Sequence, residues 1–235
     1  MKIWWLGSER GQGNFGDILT PHILDYFSIN YEYVNHYTNA TAISVGSIAR
    51  RAGVGVTVLG SGIISRSDRV IAEADWKFVR GPYTRDRVKF FGGECPEIYG
   101  DPALLLPLMV EPSEKKHEVG IVPHNVDFAY ATEKFTGSNI IGLKTRNYKN
   151  VVNKITQCES IISSSLHGVI CAHAYGIPAA WVKSNTKLKG DDVKFEDFFA
   201  SVDVDGIQST FDKPVFINPK AANLDPLIKI YNEMK

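Results

Sequence analysis

The fold of this chain is decided by the stretch from Ile161 to Ala174, which reads IISSSLHGVICAHA. A β-branched apolar run stops at three serines, and a helical pattern of small and apolar residues then begins, with His167 at its start. The first N–H groups of a helix have no partner inside it, and they point outward with the positive end of the helix dipole. The stretch therefore predicts a strand, a turn and a helix whose N-terminus binds an anion. A histidine there adds a proton carrier that titrates near neutral pH, which favours an enzyme acting on a phosphorylated or carboxylated compound.

Outward from this stretch, strand and helix patterns alternate through most of the chain. Short apolar runs predict strands at residues 2–6, 31–36, 42–45, 54–59, 76–79, 97–100, 118–122, 139–143, 160–163 and 179–182. Helical patterns are found at residues 17–27, 82–90, 128–134, 149–158 and 166–175. A polar stretch at 111–117 is the best linker candidate. We therefore expect an α/β protein with halves at 1–112 and 113–235, each a parallel sheet with helices on both faces, and a cleft between them.

Composition narrows the class of protein. Lys+Arg and Asp+Glu number 26 each, so the chain lacks the broad positive field of nucleic-acid-binding proteins, and no nucleic-acid partner is expected. Three widely spaced cysteines form no zinc-binding pattern, and we expect free buried thiols and no metal site. The N-terminal apolar run is too short for a signal peptide, and no run reaches the ~20 apolar residues of a membrane helix. We expect a soluble, cytoplasmic protein, with docking on the inner face of a membrane left open.

Ligands of parallel α/β sheets bind beyond the carboxyl ends of the strands. This rule selects four loops, at residues 7–16, 60–65, 80–82 and 163–168. The first loop contains the dinucleotide-binding pattern G-x-G-x-x-G at residues 11–16. That function is disfavoured because the first glycine comes several residues after the strand, and because Asp17 puts a carboxylate where a pyrophosphate would lie. Asp17 is then either an ordinary helix N-cap or, together with Asn14, a hydrogen-bond partner of a substrate hydroxyl.

The other three loops carry the remaining polar candidates. Gly60-Ser61-Gly62 either lets the backbone approach a ligand closely or makes a tight turn. Arg80, at a strand end, either binds carboxylate or phosphate oxygens or forms a surface ion pair with Asp86 or Asp101. His167 lies beside three serines at the predicted anion-binding helix end, which favours catalysis over a packing role.

Taken in order, these loops resemble the motifs of the polysaccharide pyruvyl transferase family. The matching segments are Gly13-Asn14-Phe15-Gly16-Asp17, Gly60-Ser61-Gly62, Val79-Arg80-Gly81-Pro82-Tyr83-Thr84-Arg85, Gly100-Asp101-Pro102-Ala103-Leu104-Leu105 and Ser164-Ser165-Leu166-His167-Gly168. Each motif is modest, but the ordered set spans most of the chain and is fairly specific. The resemblance implies two Rossmann-like halves facing a cleft, similar to the two-domain, GT-B-like glycosyltransferases.

The resemblance also implies an activity. Members of the family use phosphoenolpyruvate as donor, place a pyruvate ketal on a sugar of a polysaccharide or its precursor, and release phosphate without a further cofactor. The implied partners are therefore phosphoenolpyruvate and a sugar acceptor, either free or lipid-linked, with peripheral membrane association left open.

The four loops and the resemblance together give a set of site residues; the resemblance supplies the roles of His167 and Arg80. His167 is expected to be the acid or base, Asp17 is a second catalytic candidate, and Arg80 is expected to contact the donor. Further donor-binding candidates are Ser164, Ser165, Leu166 and Gly168, and further cleft candidates are Asn14, Ser61, Gly62, Arg85 and Asp101. Many members carry an arginine where this chain has Ser165, so one cation of the donor site is missing here.

Two other functions stay open at this point. A nucleotide-sugar-dependent glycosyltransferase would share the two-lobed fold, although no acidic residue is clearly placed to bind a ribose. A non-catalytic glycan-binding relative is the second alternative, because Ser165 departs from the family pattern. Thermal stabilisation by phosphoenolpyruvate or by nucleotide-sugars separates the donor classes.

Overall fold

A computed structural model describes residues 1–7, 13–186 and 188–235 of the chain. The first half contains β1 (Lys2–Trp4), β2 (Gly13–Asn14), α1 (Leu19–Tyr26), β3 (Glu32–Tyr33), β4 (Ala42–Ile43), β5 (Thr57–Leu59), β6 (Asp75–Phe78) and α2 (Pro82–Phe90). The second half contains β7 (His117–Val122), α3 (Phe128–Lys134), β8 (Asn139–Ile140), β9 (Lys144–Thr145), α4 (Tyr148–Thr156), β10 (Cys158–Ser163), α5 (Leu166–Ala174), β11 (Ala179–Val182), α6 (Val193–Ser201), β12 (Gln208–Ser209) and α7 (Asp225–Asn232).

Two parallel sheets form the framework, as the sequence predicts. The first has the strand order β3-β1-β4-β5-β6, and the second has the order β12-β11-β10-β7-β8. Every pairing within these two sheets is parallel, because a helix or a long connection returns the chain to the same edge before each new strand. The apolar strand centres are buried on both faces. The α/β prediction with two parallel-sheet halves is confirmed, and the GT-B-like resemblance is consistent with it.

A third, two-stranded sheet joins the halves. In it, β2 pairs antiparallel with β9, which belongs to the second half. The Phe15 N–H donates to the Leu143 carbonyl oxygen at 2.8 Å, and the Phe15 side chain is fully buried in a core shared by both halves. The residues just before α1 are therefore held by the second half, although they belong to the first half in sequence.

The last helix crosses back to the first half. On α7, the Tyr231 ring stacks on Phe27 at 4.9 Å between centroids and meets the Phe78 ring edge-on at 5.9 Å. The Tyr231 hydroxyl lies 3.1 Å from Ser44 Oγ. The boundary at residue 112 stays a prediction, since the chain crosses between the halves again after it.

Three local predictions are wrong or fall outside the description. Asp17 does not cap α1: the helix starts at Leu19 after Ile18 and has no side-chain cap. Residues 97–100 form no strand, because only Tyr99 makes a bridge, to Val79, and the chain then enters a 3-10 helix at Pro102–Leu108. Of the G-x-G-x-x-G pattern, residues 11 and 12 lie outside the described residues.

The three cysteines are free thiols. Cys95, Cys158 and Cys171 are buried and unpaired by disulfides, and burial raises the pKa of the Cys95 thiol to about 11. Within residues 1–7, 13–186 and 188–235, no three His, Cys, Asp or Glu side chains are grouped to hold a metal ion. Within the same ranges, no helix is both long and apolar enough to cross a bilayer.

Candidate active site

A pocket of about 160 Å³ lies between the two halves at the carboxyl ends of both sheets. From the first half, the described lining residues are Leu6, Asn14, Asp17, Ser47, Ile48 and Ile64. From the second half, they are His124, Ser165, Leu166, His167 and Lys194. The pocket therefore brings together five of the residues that the sequence singled out: Asn14, Asp17, Ser165, Leu166 and His167.

The side chains of Ser163, Ser164 and Ser165, at the end of β10 and after it, make different contacts. Ser163 Oγ lies 2.7 Å from the Val122 carbonyl oxygen and accepts the Ser165 N–H at 3.0 Å, which ties the turn to β7. Ser164 Oγ donates to buried Asp127 at 2.7 Å. Ser165 starts α5 and makes no side-chain capping bond to it, so its hydroxyl lines the pocket without closing the helix end. Of the three, Ser165 is the one placed to meet a ligand.

His167 is fixed against the loop before α1 and faces a carboxylate. A Cβ atom on Gly16 would overlap the imidazole ring, so only glycine at this position leaves the ring its place. The ring atom Nε2 lies 3.7 Å from Asp101 Oδ2. Both atoms are buried, and neither has a hydrogen-bond partner among the described residues. The other carboxylate oxygen of Asp101 accepts the Ala103 N–H at 3.0 Å, which fixes the carboxylate at the start of the 3-10 helix.

Burial lowers the pKa of His167 below its ordinary value. The Asp101 carboxylate opposes this shift, while the positive charges of Arg80 and Lys194 add to it. Since His167 is only 7% exposed, its charged form is poorly solvated. His167 is therefore a neutral imidazole near pH 7, ready to accept a proton.

Burial also raises the pKa of Asp17, to about 7. A hydrogen bond from Asn14 Nδ2, at 3.4 Å, opposes the shift, the nearby Asp101 charge adds to it, and Lys194 opposes it. Asn14 is in turn held by Asn125 Nδ2 at 3.3 Å, across the two halves. A carboxyl group with a pKa near neutrality can donate and accept a proton under ordinary conditions.

The raised pKa of Asp17 predicts a pH-dependent gain in stability for Asp17→Asn. Between pH 3.8 and about 7 the folded protein binds more protons at this group than the unfolded chain does, so wild-type stability falls as pH rises through this window. The amide avoids that cost. We expect the variant to exceed wild type in free energy of unfolding by up to about 4 kcal/mol at pH 8, and by much less at pH 4.

Denaturant midpoints of both proteins between pH 4 and pH 8 measure this difference. The exposed carboxylate of Asp86 on α2 provides the control, because Asp86→Asn changes the same charge outside the pocket. A difference between Asp17→Asn and wild type that stays constant across the pH range would contradict the assignment.

Arg80 has a different environment from the one the sequence predicts. It is fully buried, and it pairs with Asp197 of α6 through Nε at 3.1 Å, rather than with Asp86 or Asp101. Its other nitrogens donate to Ser47 Oγ at 2.8 Å and to the Ile63 carbonyl oxygen at 2.7 Å. Arg80 therefore reaches the pocket through Ser47, which lines it, and acts there as a fixed positive charge.

The remaining candidates lie behind the pocket wall. Gly62 leaves room for the Arg80 guanidinium, which a Cβ atom there would overlap, and Ser61 Oγ donates to the Ser44 carbonyl oxygen. Gly168 lets α5 pack closely on Ser163. Arg85 pairs with Glu97 at 2.9 Å on the outer side of α2. None of these residues, nor Ser164 or Asp101, is among the described residues that line the pocket.

Sequence reasoning missed three residues that shape the site. Lys194 and His124 line the pocket, and Asp197 holds Arg80 from behind. A signal for two of them exists: Lys194 and Asp197 are three positions apart on α6 and interrupt a run of buried apolar residues. Charged side chains on the buried face of a helix are rare unless they form an ion pair or bind a ligand.

Together, the fold and the pocket define a two-lobed α/β protein whose ligand site lies between paired parallel sheets. A family model for polysaccharide pyruvyl transferases matches residues 6–186, and the chain belongs to this family. The succinoglycan biosynthesis protein ExoV of Rhizobium meliloti (strain 1021) is 30% identical over 223 residues, covering 87% of this chain and 66% of the relative. The uncharacterized protein L143 of Acanthamoeba polyphaga mimivirus is 35% identical over 166 residues, covering 66% of this chain and 58% of the relative.

The chain thus spans about three fifths to two thirds of the length of these two relatives, at 58% and 66%. No solved structure matches the chain significantly. The family membership consequently rests on the ordered motifs in residues 6–186, which contain every pocket-lining residue described above except Lys194.

Proposed function

We propose that this protein transfers the pyruvyl group of phosphoenolpyruvate to two hydroxyls of one sugar, forming a cyclic ketal and releasing phosphate. The observation that carries the proposal is the Nε2 atom of His167, which is buried and has no hydrogen-bond partner among the described residues. His167 and Asp17 line the same pocket, and Asp101 lies behind the imidazole ring, 3.7 Å from Nε2. Membership of the pyruvyl transferase family supports this reaction class. The name of the relative ExoV, a succinoglycan biosynthesis protein, supports a polysaccharide or its precursor as the acceptor.

The size of the pocket favours a compact donor. Its volume of about 160 Å³ is well below the ~300–1,000 Å³ of pockets for drug-sized ligands. Phosphoenolpyruvate has ten non-hydrogen atoms and carries a carboxylate and a phosphate. The N-terminus of α5 and the charge of Lys194 suit such an anion, whereas a nucleotide-sugar would extend far beyond this space.

The reaction needs two protons moved in balance. A proton added to the methylene carbon of the donor makes C2 electrophilic, and a sugar hydroxyl attacks C2 and loses its own proton. Phosphate then leaves, and the second hydroxyl attacks C2 to close the ring. Overall the two hydroxyls lose two protons. One proton is gained by the methylene carbon, which becomes a methyl group, and the other is gained by the released phosphate.

The pKa values of the two pocket groups fit this sequence. Neutral His167 takes the proton of the attacking hydroxyl, and Asp17, with a pKa of about 7, supplies a proton to the methylene carbon. Asp101 stabilises the imidazolium that forms and positions the ring, because its Oδ2 atom faces Nε2 at 3.7 Å. The nearby Arg80 charge lowers the pKa of His167 and so favours its neutral, proton-accepting form.

The proposal requires no cofactor beyond the donor itself. The acceptor, either a free sugar chain or a lipid-linked oligosaccharide, approaches from the open side of the pocket. A lipid-linked acceptor would bring the protein to the inner face of the cytoplasmic membrane.

The test is a donor screen by thermal shift, followed by turnover. A ligand that binds the folded state at 100 times its Kd adds about 2.7 kcal/mol of stability. We expect phosphoenolpyruvate to raise the melting temperature, and UDP-, GDP- and CMP-sugars to leave it unchanged. With oligosaccharide acceptors, phosphate release should accompany a new ketal methyl signal in the proton NMR spectrum. Stabilisation by a nucleotide-sugar alone would favour the glycosyltransferase alternative and reject the proposal.

A further inference from the structure

Lys194 is a buried cation whose Nζ lies 5.4 Å from the centroid of the Phe195 ring and, within the described part of the chain, forms no ion pair. Its side chain is only 8% exposed, and what remains accessible lies on the pocket wall. Among the described residues, no carboxylate lies within ion-pair distance of Nζ and no hydrogen-bond acceptor engages it. Burial lowers the pKa of Lys194, and the nearby Arg80 charge adds to the shift, against weaker opposition from Asp192 and Asp17. Burying an ammonium group without an ion-pair or hydrogen-bond partner costs folding free energy, and an anionic ligand in the pocket would supply that partner.

The helix that carries Lys194 is fixed in place on both sides of it. Before the helix, Asp191 Oδ2 accepts Ser65 Oγ at 3.0 Å and the Arg66 N–H at 2.9 Å. One turn after Lys194, Asp197 binds Arg80 and accepts the Thr84 N–H at 2.9 Å. These anchors hold the start of α6 against the first half, and they keep the ammonium at the pocket wall.

Of the basic residues in and near the pocket, Lys194 is the one that can offer a positive charge to an anionic ligand. Among the described lining residues it is the one lysine or arginine. Arg80 is fully buried, and its guanidinium is already bound by Asp197, Ser47 and the Ile63 carbonyl oxygen. His167 is neutral near pH 7, since burial lowers its pKa. Ser165, at the start of α5, is uncharged.

We propose that Lys194 Nζ binds the phosphate group of the donor and supplies the positive charge of the anion site. The inference rests on the proposed function for the identity of the donor. Of the two anionic groups of phosphoenolpyruvate, phosphate carries the larger charge and needs stabilisation as it leaves. An ammonium binds phosphate well as a point charge, whereas a planar guanidinium is the better match for a carboxylate. The N-terminus of α5 completes the anion site around it.

The experiment measures binding of inorganic phosphate by calorimetry, at fixed ionic strength, to wild type and to Lys194→Met. Because a hydrogen bond to a charged group is worth about 1.5–3 kcal/mol, the variant should bind phosphate roughly 10- to 100-fold more weakly. Lys194→Gln should lose as much, and Lys194→Arg, which keeps the charge, should lose much less. The matched control is Lys149→Met, which removes an exposed lysine on α4 and should leave phosphate affinity unchanged. Melting temperatures verify that each variant folds.

Equal phosphate affinity in wild type, Lys194→Met and Lys194→Gln overturns the assignment, and so does a wild-type protein that binds no phosphate. Pyruvate, which offers a carboxylate alone, is the second probe. A variant that loses affinity for pyruvate but keeps it for phosphate would also reject the phosphate assignment. Turnover of phosphoenolpyruvate is scored separately. Phosphate binding that depends on Lys194, in a protein that never consumes phosphoenolpyruvate, would refute the proposed reaction and leave this anion site standing.

Discussion

Replacement of His167 by alanine or asparagine is expected to lower turnover of phosphoenolpyruvate by about 10²–10⁴-fold, the usual contribution of a positioned acid or base. The ring is buried, its Nε2 atom has no partner among the described residues, and its pKa is lowered so that it is neutral near pH 7. Neither replacement can take the hydroxyl proton in its place. The loss should be found in kcat, since the imidazole acts on the transition state, with little change in the KM for the donor.

A histidine on the same helix provides the control for this prediction. His173 lies outside the pocket and holds the Lys220 carbonyl oxygen through Nε2 at 2.8 Å. His173→Asn should keep wild-type turnover once the protein is shown to be folded. Wild-type kcat in His167→Ala, measured by phosphate release, would remove His167 from the chemistry.

The same imidazole can be displaced without replacing it. A Cβ atom on Gly16 would overlap the His167 ring, so Gly16→Ala should lower kcat towards the value of His167→Ala. Gly53→Ala is the matched control, because a Cβ there meets only Val56, at an ordinary 3.7 Å. Full activity in Gly16→Ala would mean that the ring works from another position.

Replacement of Arg80 by methionine is expected to lower the free energy of unfolding by about 3–5 kcal/mol, because it leaves buried Asp197 without its cation. The two side chains are both inaccessible to solvent, and they join α6 to the strand end before α2 across the two halves. The loss should be visible as a lower denaturant midpoint, and the variant should show a higher rate of proteolysis.

Two variants calibrate the Arg80 result. Arg85→Met removes an arginine of α2 whose partner Glu97 is 71% exposed, and should cost about 1 kcal/mol or less. The double variant Arg80→Met with Asp197→Leu removes both charges and should recover part of the lost stability. A single Arg80→Met variant with the wild-type midpoint would contradict the role of the buried pair.

Much of the fold follows from local sequence patterns. The run from Ile161 to Ser163 ends β10, and α5 begins at Leu166, because β-branched residues and small residues dictate these states locally. The predicted strand at 97–100 is wrong because only Tyr99 forms a bridge, to Val79, before the chain enters the 3-10 helix at Pro102–Leu108. Asp17 has the composition of an N-cap, but burial in the pocket and the hydrogen bond from Asn14 decide its role instead.

The candidate site was predictable only where neighbours in sequence are neighbours in space. The loop of Asn14 and Asp17 and the helix start at His167 follow from strand ends and motif order. The partners of Arg80 were not predictable, because Asp197 lies more than a hundred positions away and reaches Arg80 only once α6 packs on α2. Lys194 was missed for the same reason: its significance depends on its place on the pocket wall beside residues of both halves, which no single segment reveals.

The short antiparallel pairing of β2 with β9 has a consequence for how the protein can open. It attaches the segment of Asp17 to the half that carries His167, although Asp17 precedes the helix that covers the other sheet. A rotation that separated the halves would therefore move Asp17 and His167, the two proposed proton-transfer groups, together, and it would leave Ser47, Ile48 and Ile64 on the other half. If the acceptor enters and leaves by such a rotation, the distance between Asp17 and His167 stays the same in every cycle.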